Sequence, residues 1–158
     1  MIDPEILKHF YFQNRVPNPV NVTFTEKQYV DGEWIDDPSS EQNFRHFSNK
    51  LNAAVYRSKF KRYGLKLAMF VVRESDGVHR HHLHCIIERP TNLSKPLFAL
   101  LIKNCWHSTR FGHEHVHIEF PEAAGREQGW VEYCLKRRSK ALYSDSIDWS
   151  NSTCFELR

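Results

Sequence analysis

Four stretches of the chain carry the hydrophobic patterns expected of β-strands. Val20–Thr25 and Glu114–Phe120 alternate between apolar and polar side chains, whereas Leu65–Glu74 and His79–Glu88 contain longer apolar runs. The turn dipeptide Asp76-Gly77 separates the two apolar stretches. We therefore predict that these two strands are antiparallel neighbours in one sheet.

Apolar side chains spaced three and four residues apart predict helices between and around the strands. A long helix is predicted over Ser39–Tyr63, with a capping box of Ser39 and Gln42 at its start and Gly64 at its end. Shorter helices are predicted over Pro4–Gln13 and over about Arg126–Arg138.

Another helix is predicted between the third and fourth strands. Ser94 can cap it, and it should run to about His107. Its predicted inner face consists of Leu97, Leu100, Leu101, Asn104 and Cys105.

The order of these elements predicts an α+β fold. Strand, helix, strand, strand, helix and strand in that order form the ferredoxin-like, split βαβ arrangement, a four-to-five-stranded antiparallel sheet with helices on one face. The helix near the C-terminus is an addition to it. With 158 residues the chain suits a single domain over residues 1–158, with a core of about 20–138 and a loosely docked tail of 139–158.

Composition narrows the functional classes only a little. The net charge of +3 is mildly basic, and the cationic run between Arg57 and Arg62 is typical of a solvated helix end. The four cysteines form no C-x-x-C pair, which favours buried thiols over a zinc ribbon. Neither a secretory signal nor an apolar run of about 20 residues is present, so we expect a soluble intracellular protein without a membrane partner.

The alternation of side chains also predicts a face of the sheet that the helices do not cover. That face should carry Asn21, Thr23, Thr25, His82, His84, His115, His117 and Glu119. His82 and His84 lie side by side in the middle of a strand, and Glu74 ends the neighbouring strand. Two imidazoles and a carboxylate form a candidate metal site. Because ten histidines produce four H-x-H pairs in this chain, surface histidines on an open sheet face remain the alternative.

The segment GWVEYCLKRR, residues 129–138, contains a second candidate group. If it is helical, Val131, Cys134 and Leu135 form its buried stripe, and Tyr133 and Lys136 neighbour one another on the other side. An ordinary ion pair of Glu132 with Lys136 and a tyrosine on an exposed patch are the alternative interpretation.

Together the two groups suggest phosphodiester chemistry. A tyrosine hydroxyl, with an ordinary pKa of about 10, is a poor nucleophile at neutral pH unless a metal ion polarises the phosphate that it attacks. Two imidazoles and a carboxylate leave positions open on Mg²⁺ or Mn²⁺, and the imidazoles favour Mn²⁺. Lys136 could stabilise the phosphate or assist proton movement at Tyr133.

These motifs resemble those of the HUH endonuclease superfamily, in particular the nuclease domain of rolling-circle replication initiators. His82-Leu83-His84 is similar to the H-U-H motif, and Tyr133-Cys134-Leu135-Lys136 to the Y-x-x-K motif of the single-tyrosine group. Glu74 stands where many of these initiators have a third metal ligand, and Val22–Thr25 resembles their less diagnostic first motif. The matches follow the family's order over residues 20–138.

The resemblance implies an activity, a metal and a partner. Tyr133 would attack a phosphate of single-stranded DNA at a replication origin, leaving a 5′-phosphotyrosine link and a free 3′-OH, while Glu74, His82 and His84 hold Mg²⁺ or Mn²⁺. Candidate DNA contacts, chosen because they share the face of the site, are Asn21, Thr23, Thr25 and His117. The second H-x-H pair, His115 with His117, lacks an upstream carboxylate at comparable spacing, and we rank it as DNA-facing or as supporting the site.

The resemblance also raises the question of a helicase. Initiators of eukaryotic viruses usually carry a helicase domain, and none fits in this chain. We therefore expect one of two arrangements. The chain is either a compact bacterial or phage initiator, which acts in the cytoplasm and for which a helicase could be supplied in trans, or a fragment of a larger initiator. An initiator of a eukaryotic virus would act in the host nucleus.

Three other functions remain open at this point. A single-tyrosine transposase or relaxase would use the same chemistry. A non-catalytic RNA-binding module with an RRM-like sheet would need exposed aromatic residues on the strands, where this chain has histidines and threonines. A metal-dependent hydrolase would use water, with Tyr133 as a bystander.

Overall fold

The computed structural model describes residues 4–74, 81–121, 129–132 and 146–155. In chain order its elements are α1 (Pro4–Gln13), β1 (Pro19–Glu26), β2 (Tyr29–Val30), β3 (Glu33–Trp34), α2 (Asp37–Tyr56), α3 (Ser58–Tyr63), β4 (Met69–Glu74), β5 (His82–Glu88), α4 (Lys95–His107), β6 (Gly112–Glu119) and a 3₁₀ turn (Thr153–Phe155). None of the helices in these ranges is long and apolar enough to cross a membrane.

The main sheet contains four antiparallel strands in the order β4-β5-β1-β6, and β2 and β3 form a separate small hairpin. The predicted α+β class and antiparallel four-stranded sheet are therefore confirmed. The strand order is compatible with the split βαβ arrangement. The predicted helix that carries Tyr133 is described only over residues 129–132, which are helical.

One face of the sheet packs against α2 and α4 and forms the larger core. Val20, Val22 and Phe24 of β1 point into it because every second side chain of a strand lies on the same face. The Phe24 ring lies 4.4 Å from that of Trp106 and 4.8 Å from that of Phe47, measured between ring centroids. Burying side chains of this kind stabilises a fold by about 1.5–3 kcal/mol each, so this layer fixes the register of β1.

The opposite face of the sheet is covered over the half formed by β4 and β5. Leu7 and Tyr11 of α1, Val131 and Ile147 pack there against Phe70 and its neighbours. The prediction that this whole face is uncovered is therefore wrong for that half. The periodicity of β1, β5 and β6 does not show it, because the covering residues come from the two ends of the chain.

Residues 146–155 lie along the outer edge of β4, so the prediction of a loosely docked tail is wrong for them. The Asp148 N–H donates to the Val71 carbonyl at 3.0 Å, and the Val71 N–H donates to the Ser152 hydroxyl, also at 3.0 Å. The Met69 N–H donates to Thr153 Oγ1 at 3.1 Å. Side-chain hydroxyls thus satisfy an edge strand that would otherwise expose unpaired backbone groups.

Two details of the helices differ from the prediction. Asp36, not Ser39, is the N-cap of α2, and Ser39 is the partner in the capping box. The predicted single helix is divided at Arg57, whose φ of 52° is incompatible with a continuing helix.

The inner face of α4 is also shifted from the predicted one. Phe98, Ile102 and Trp106 are buried, whereas Leu97 and Leu100 are 45% and 53% exposed. Apolar side chains surround most of this helix, so periodicity alone does not determine which side faces the core. The packing of the Trp106 ring on Phe24 determines it.

A buried carboxyl group ends β1. Glu26 is fully buried and accepts a hydrogen bond from the Ser40 hydroxyl at 2.8 Å. Burial raises the pKa of Glu26 to about 7, although the Ser40 hydrogen bond and the charge of Arg73 oppose the shift. Arg73 itself lies 3.5 Å from an Asp148 carboxylate oxygen. The folded protein therefore binds a proton at Glu26 more tightly than the unfolded chain does.

Replacing Glu26 by glutamine should stabilise the protein in alkaline solution and have little effect in acid. Because the pKa of Glu26 is higher in the folded state, its contribution to stability is complete below pH 4.5 and is lost as the pH rises through about 7. From the two pKa values we expect Glu26→Gln to raise the free energy of unfolding at pH 8.5 by up to ~3 kcal/mol. Urea unfolding at pH 4.5 and 8.5 measures the difference. Glu114→Gln, at an exposed position, is the control, and a gain independent of pH would contradict the assignment.

Candidate metal centre

The three predicted metal ligands lie on two neighbouring strands of the sheet. Glu74, the last residue of β4, is paired with His82 at the start of β5, and Val72 is paired with His84. Side chains that are paired directly across antiparallel strands have Cβ atoms about 4.5–5.5 Å apart. The register therefore brings Glu74, His82 and His84 to one end of one face.

His84 and Glu74 are in direct contact. The Nε2 atom of His84 lies 2.6 Å from Oε2 of Glu74, a distance typical of a strong hydrogen bond between an imidazole and a carboxylate. The His84 side chain is only 4% exposed, whereas that of Glu74 is 32% exposed. The pair is therefore held firmly on its histidine side and is open to solvent on its carboxylate side.

Thr23 of β1 contacts the other nitrogen of His84. Its Oγ1 atom lies 3.2 Å from Nδ1, and the two residues are paired across β1 and β5. A cation that took the place of the Glu74 hydrogen bond would favour the other tautomer, in which Nδ1–H donates to this hydroxyl and Nε2 presents its lone pair to the cation, the usual arrangement of a metal-binding histidine. Thr23, predicted from the sequence as a DNA contact, thus also orients a predicted ligand.

The donor types fit a divalent cation, but the described residues do not form a closed cage. Nowhere in the ranges that the structure describes do three or more His, Cys, Asp or Glu side chains converge as a metal-binding group. The Glu74 oxygen contacts His84 directly, in the place where a cation would come between them. A carboxylate and two imidazoles suit Mn²⁺ or Mg²⁺, and Glu74 and His82 are the residues that would turn towards the ion.

Residues 129–132 lie beside this cluster. The Trp130 ring meets the His84 imidazole edge to face, with 6.0 Å between the ring centroids, and Val131 is buried against the sheet. The Lys8 ammonium, on α1, lies 3.4 Å from a Glu132 carboxylate oxygen. The predicted catalytic residues Tyr133 and Lys136 lie outside the described residues, but Trp130, three residues before Tyr133, is in contact with His84.

The candidate DNA contacts differ in accessibility. Asn21 is only 1% exposed, so its side chain is not available to a strand of DNA, and we withdraw it as a contact. Thr23 and Thr25 are half-buried, and Thr25 is paired with His82. His117 is exposed and is paired with Thr23 across β1 and β6. The accessible part of this face therefore follows β1 and β6.

Two features of the site were not found from the sequence. The Thr23 hydroxyl could have been identified as a partner of His84 only once the register of β1 on β5 was known. The Trp130 contact depends on how the helical residues 129–132 cross the sheet, which periodicity does not specify.

Comparison of the chain with protein-family models, with curated proteins and with solved structures gives no match. Functional inference therefore depends on the geometry and the chemistry described above.

Proposed function

We propose that this protein nicks and rejoins single-stranded DNA by transesterification at Tyr133, with Mg²⁺ or Mn²⁺ bound by Glu74, His82 and His84. The observation that carries the proposal is the contact of His84 with Glu74 at 2.6 Å, beside the helical residues that lead directly to Tyr133. Residues 129–132, which precede Tyr133 in the sequence, thus lie beside His84, although more than forty residues separate them from it along the chain.

The proposed reaction exchanges one phosphodiester linkage for another. The Tyr133 oxygen forms a bond to the scissile phosphorus and gives up its proton, and the bond from phosphorus to the 3′-oxygen breaks. The 3′-oxygen leaves and takes up a proton, and the DNA retains a 5′-phosphate linked to Tyr133. Attack by a 3′-OH on this phosphotyrosine reverses the step and joins two strands without a nucleotide cofactor.

Each proposed role follows from the chemistry of the residue. The bound cation would polarise the phosphate oxygens and neutralise charge that develops on them. His84, fixed between Thr23 and Glu74, would hold its lone pair in one direction, and the more exposed Glu74 would supply the negative charge. The ammonium group of Lys136 would offset charge on the phosphate.

The biological setting that we propose is the initiation of rolling-circle replication of a small replicon, because the order of the motifs resembles that of such initiators. The partner would be single-stranded DNA at an origin. A transposase or relaxase of the same superfamily would form the same covalent product. A swapped dimer in solution would favour the transposase.

Covalent capture tests the proposal directly. The protein is incubated with a randomised single-stranded DNA library in Mn²⁺, separated under denaturing conditions, and the bound DNA is sequenced. We expect a covalent adduct that EDTA prevents, with the nucleotide located on Tyr133 by mass spectrometry of peptides. Cleaved DNA without an adduct would favour a hydrolase that uses water, and binding without cleavage would favour a non-catalytic module.

A further inference from the structure

The short helix α3 contributes nothing to the core. None of its six residues is buried, and it lies between two residues with positive φ, Arg57 at 52° and Gly64 at 63°. Glycine adopts such a conformation easily, but for an arginine it costs about 1–3 kcal/mol, and strain of this kind is concentrated at functional positions. Turning α3 away from the axis of α2 therefore requires a reason other than packing.

A dense cluster of positive charge lies at this helix. Residues 57–66 contain five cationic side chains and no acidic one, a local charge of +5, whereas the whole chain has a net charge of +3. The remaining residues therefore have a net charge of −2. We call the group of cations the α3 surface, and its members are Arg57, Lys59, Lys61, Arg62 and Lys66.

The helix dipole explains only part of this distribution. Lys61 and Arg62 lie in the last turn of α3, where cations are stabilised, but Lys59 lies in the first turn, where they are not, and that turn has no acidic residue. A cleft of about 340 Å³ opens beside Arg57 and Lys59. Charge, exposure and shape together suit a polyanion that follows the helix.

The α3 surface lies at the end of the sheet away from the candidate metal centre. The chain leaves α3 and enters β4 at Met69, and β4 ends at Glu74. The five residue steps from Met69 to Glu74, at about 3.3 Å each, span roughly 17 Å along β4, which is the length of about five base pairs of duplex. One nucleic acid molecule could contact both.

We propose that the α3 surface binds the phosphate backbone of duplex DNA next to the single strand that is cleaved. The choice of DNA among polyanions rests on the proposed function. Lysine and arginine contacts to phosphates supply the affinity of duplex binding without reading bases, and they need no stacking platform. A single strand is usually held by several aromatic side chains, whereas Tyr63 is the only strongly exposed ring on α3.

The test compares two double variants that remove the same charge. Lys59→Gln/Lys61→Gln removes two cations of the α3 surface, and Lys50→Gln/Lys103→Gln removes two lysines from α2 and α4. Affinity for a duplex of random sequence is measured in EDTA over a range of salt concentrations, so that the measurement does not depend on nicking. We expect the first variant to bind about tenfold more weakly and its salt dependence, the slope of log K against log salt, to fall by about 1.8, with little change in the control.

Several outcomes would overturn the inference. Equal losses in both variants would show that net charge, not the α3 surface, attracts the duplex. An equal loss of affinity for a single strand of the same length would assign the α3 surface to single-stranded DNA, and stronger binding to vesicles of anionic lipid than to the duplex would assign it to a membrane. The failure of the proposed function would look different. If the wild-type protein forms no covalent adduct but binds the duplex through the α3 surface, the proposed function is wrong and the α3 surface remains a duplex-binding site.

Discussion

Replacing Tyr133 by phenylalanine should eliminate the covalent protein–DNA product and leave the affinity for single-stranded DNA within about twofold of the wild type. The substitution removes one oxygen atom, the proposed nucleophile, and keeps the ring. Phenylalanine at position 133 cannot form the phosphotyrosine. The substrate for this measurement is the DNA sequence recovered by covalent capture, and adduct formation in Mn²⁺ is followed on denaturing gels.

Tyr29→Phe is the matched control because it makes the same chemical change at an exposed tyrosine on β2, outside α3. It should form the adduct at the wild-type rate. An adduct that persists in Tyr133→Phe would show that another residue is the nucleophile. Cleavage that continues in Tyr133→Phe without an adduct would show that water attacks the phosphate.

Much of the sheet could be predicted because its signals are local. The side chains of β1 and β6 alternate strictly enough that their two faces follow from the sequence alone. The carboxylate of Glu74 could be placed beside the two histidines because a short connection between two adjacent strands leaves little freedom in their pairing.

The covering of the second face could not be predicted because its contacts join distant parts of the chain. Val131, Ile147 and Leu7 meet on β4 and β5, and no local pattern in any of the three segments indicates it. The polar residues of 146–155 had the composition of a loose tail, yet Ser152 and Thr153 satisfy the backbone of an edge strand. Hydroxyl groups that replace strand hydrogen bonds leave no periodic signal.

The same limit applies inside the candidate site. Asn21 and Thr23 are two residues apart and point to the same face, so the sequence predicts both as DNA contacts. In the fold Asn21 is buried and Thr23 is bonded to His84. The two residues differ in burial and in hydrogen-bond partner, and tertiary packing determines both.

His84→Ala should reduce cleavage to below about 1% of the wild-type rate while binding of single-stranded DNA persists. His84 is the buried member of the proposed metal-binding pair, and Nε2 is the atom that contacts Glu74. Without it the carboxylate loses its partner and the proposed cation loses a ligand that no other described residue at this position can replace. Cleavage and binding are measured on the captured sequence over a range of Mn²⁺ concentrations.

A histidine outside the sheet provides the matched control. His46→Ala removes an exposed imidazole from α2 and should leave the Mn²⁺ dependence of cleavage unchanged. Because His84 is buried, His84→Gln serves as a second variant whose amide can still bond to Thr23 and Glu74 and so preserve the fold. Wild-type cleavage by a folded His84→Gln protein would remove His84 from the metal site.

Thr23→Val should reduce cleavage less than His84→Ala does. It tests whether Thr23 orients His84 without binding the metal itself. Valine has nearly the same shape but cannot accept the Nδ1–H, so His84 would keep its place and lose the bond that fixes its tautomer. Loss of such a supporting partner typically costs 10–100-fold in metal affinity or activity. A higher Mn²⁺ requirement with cleavage restored at saturating metal would identify Thr23 as a positioning residue, whereas weaker DNA binding with an unchanged Mn²⁺ requirement would make it a DNA contact. The two roles predicted for this one hydroxyl, from the sequence and from the fold, are thus distinguished by which titration responds.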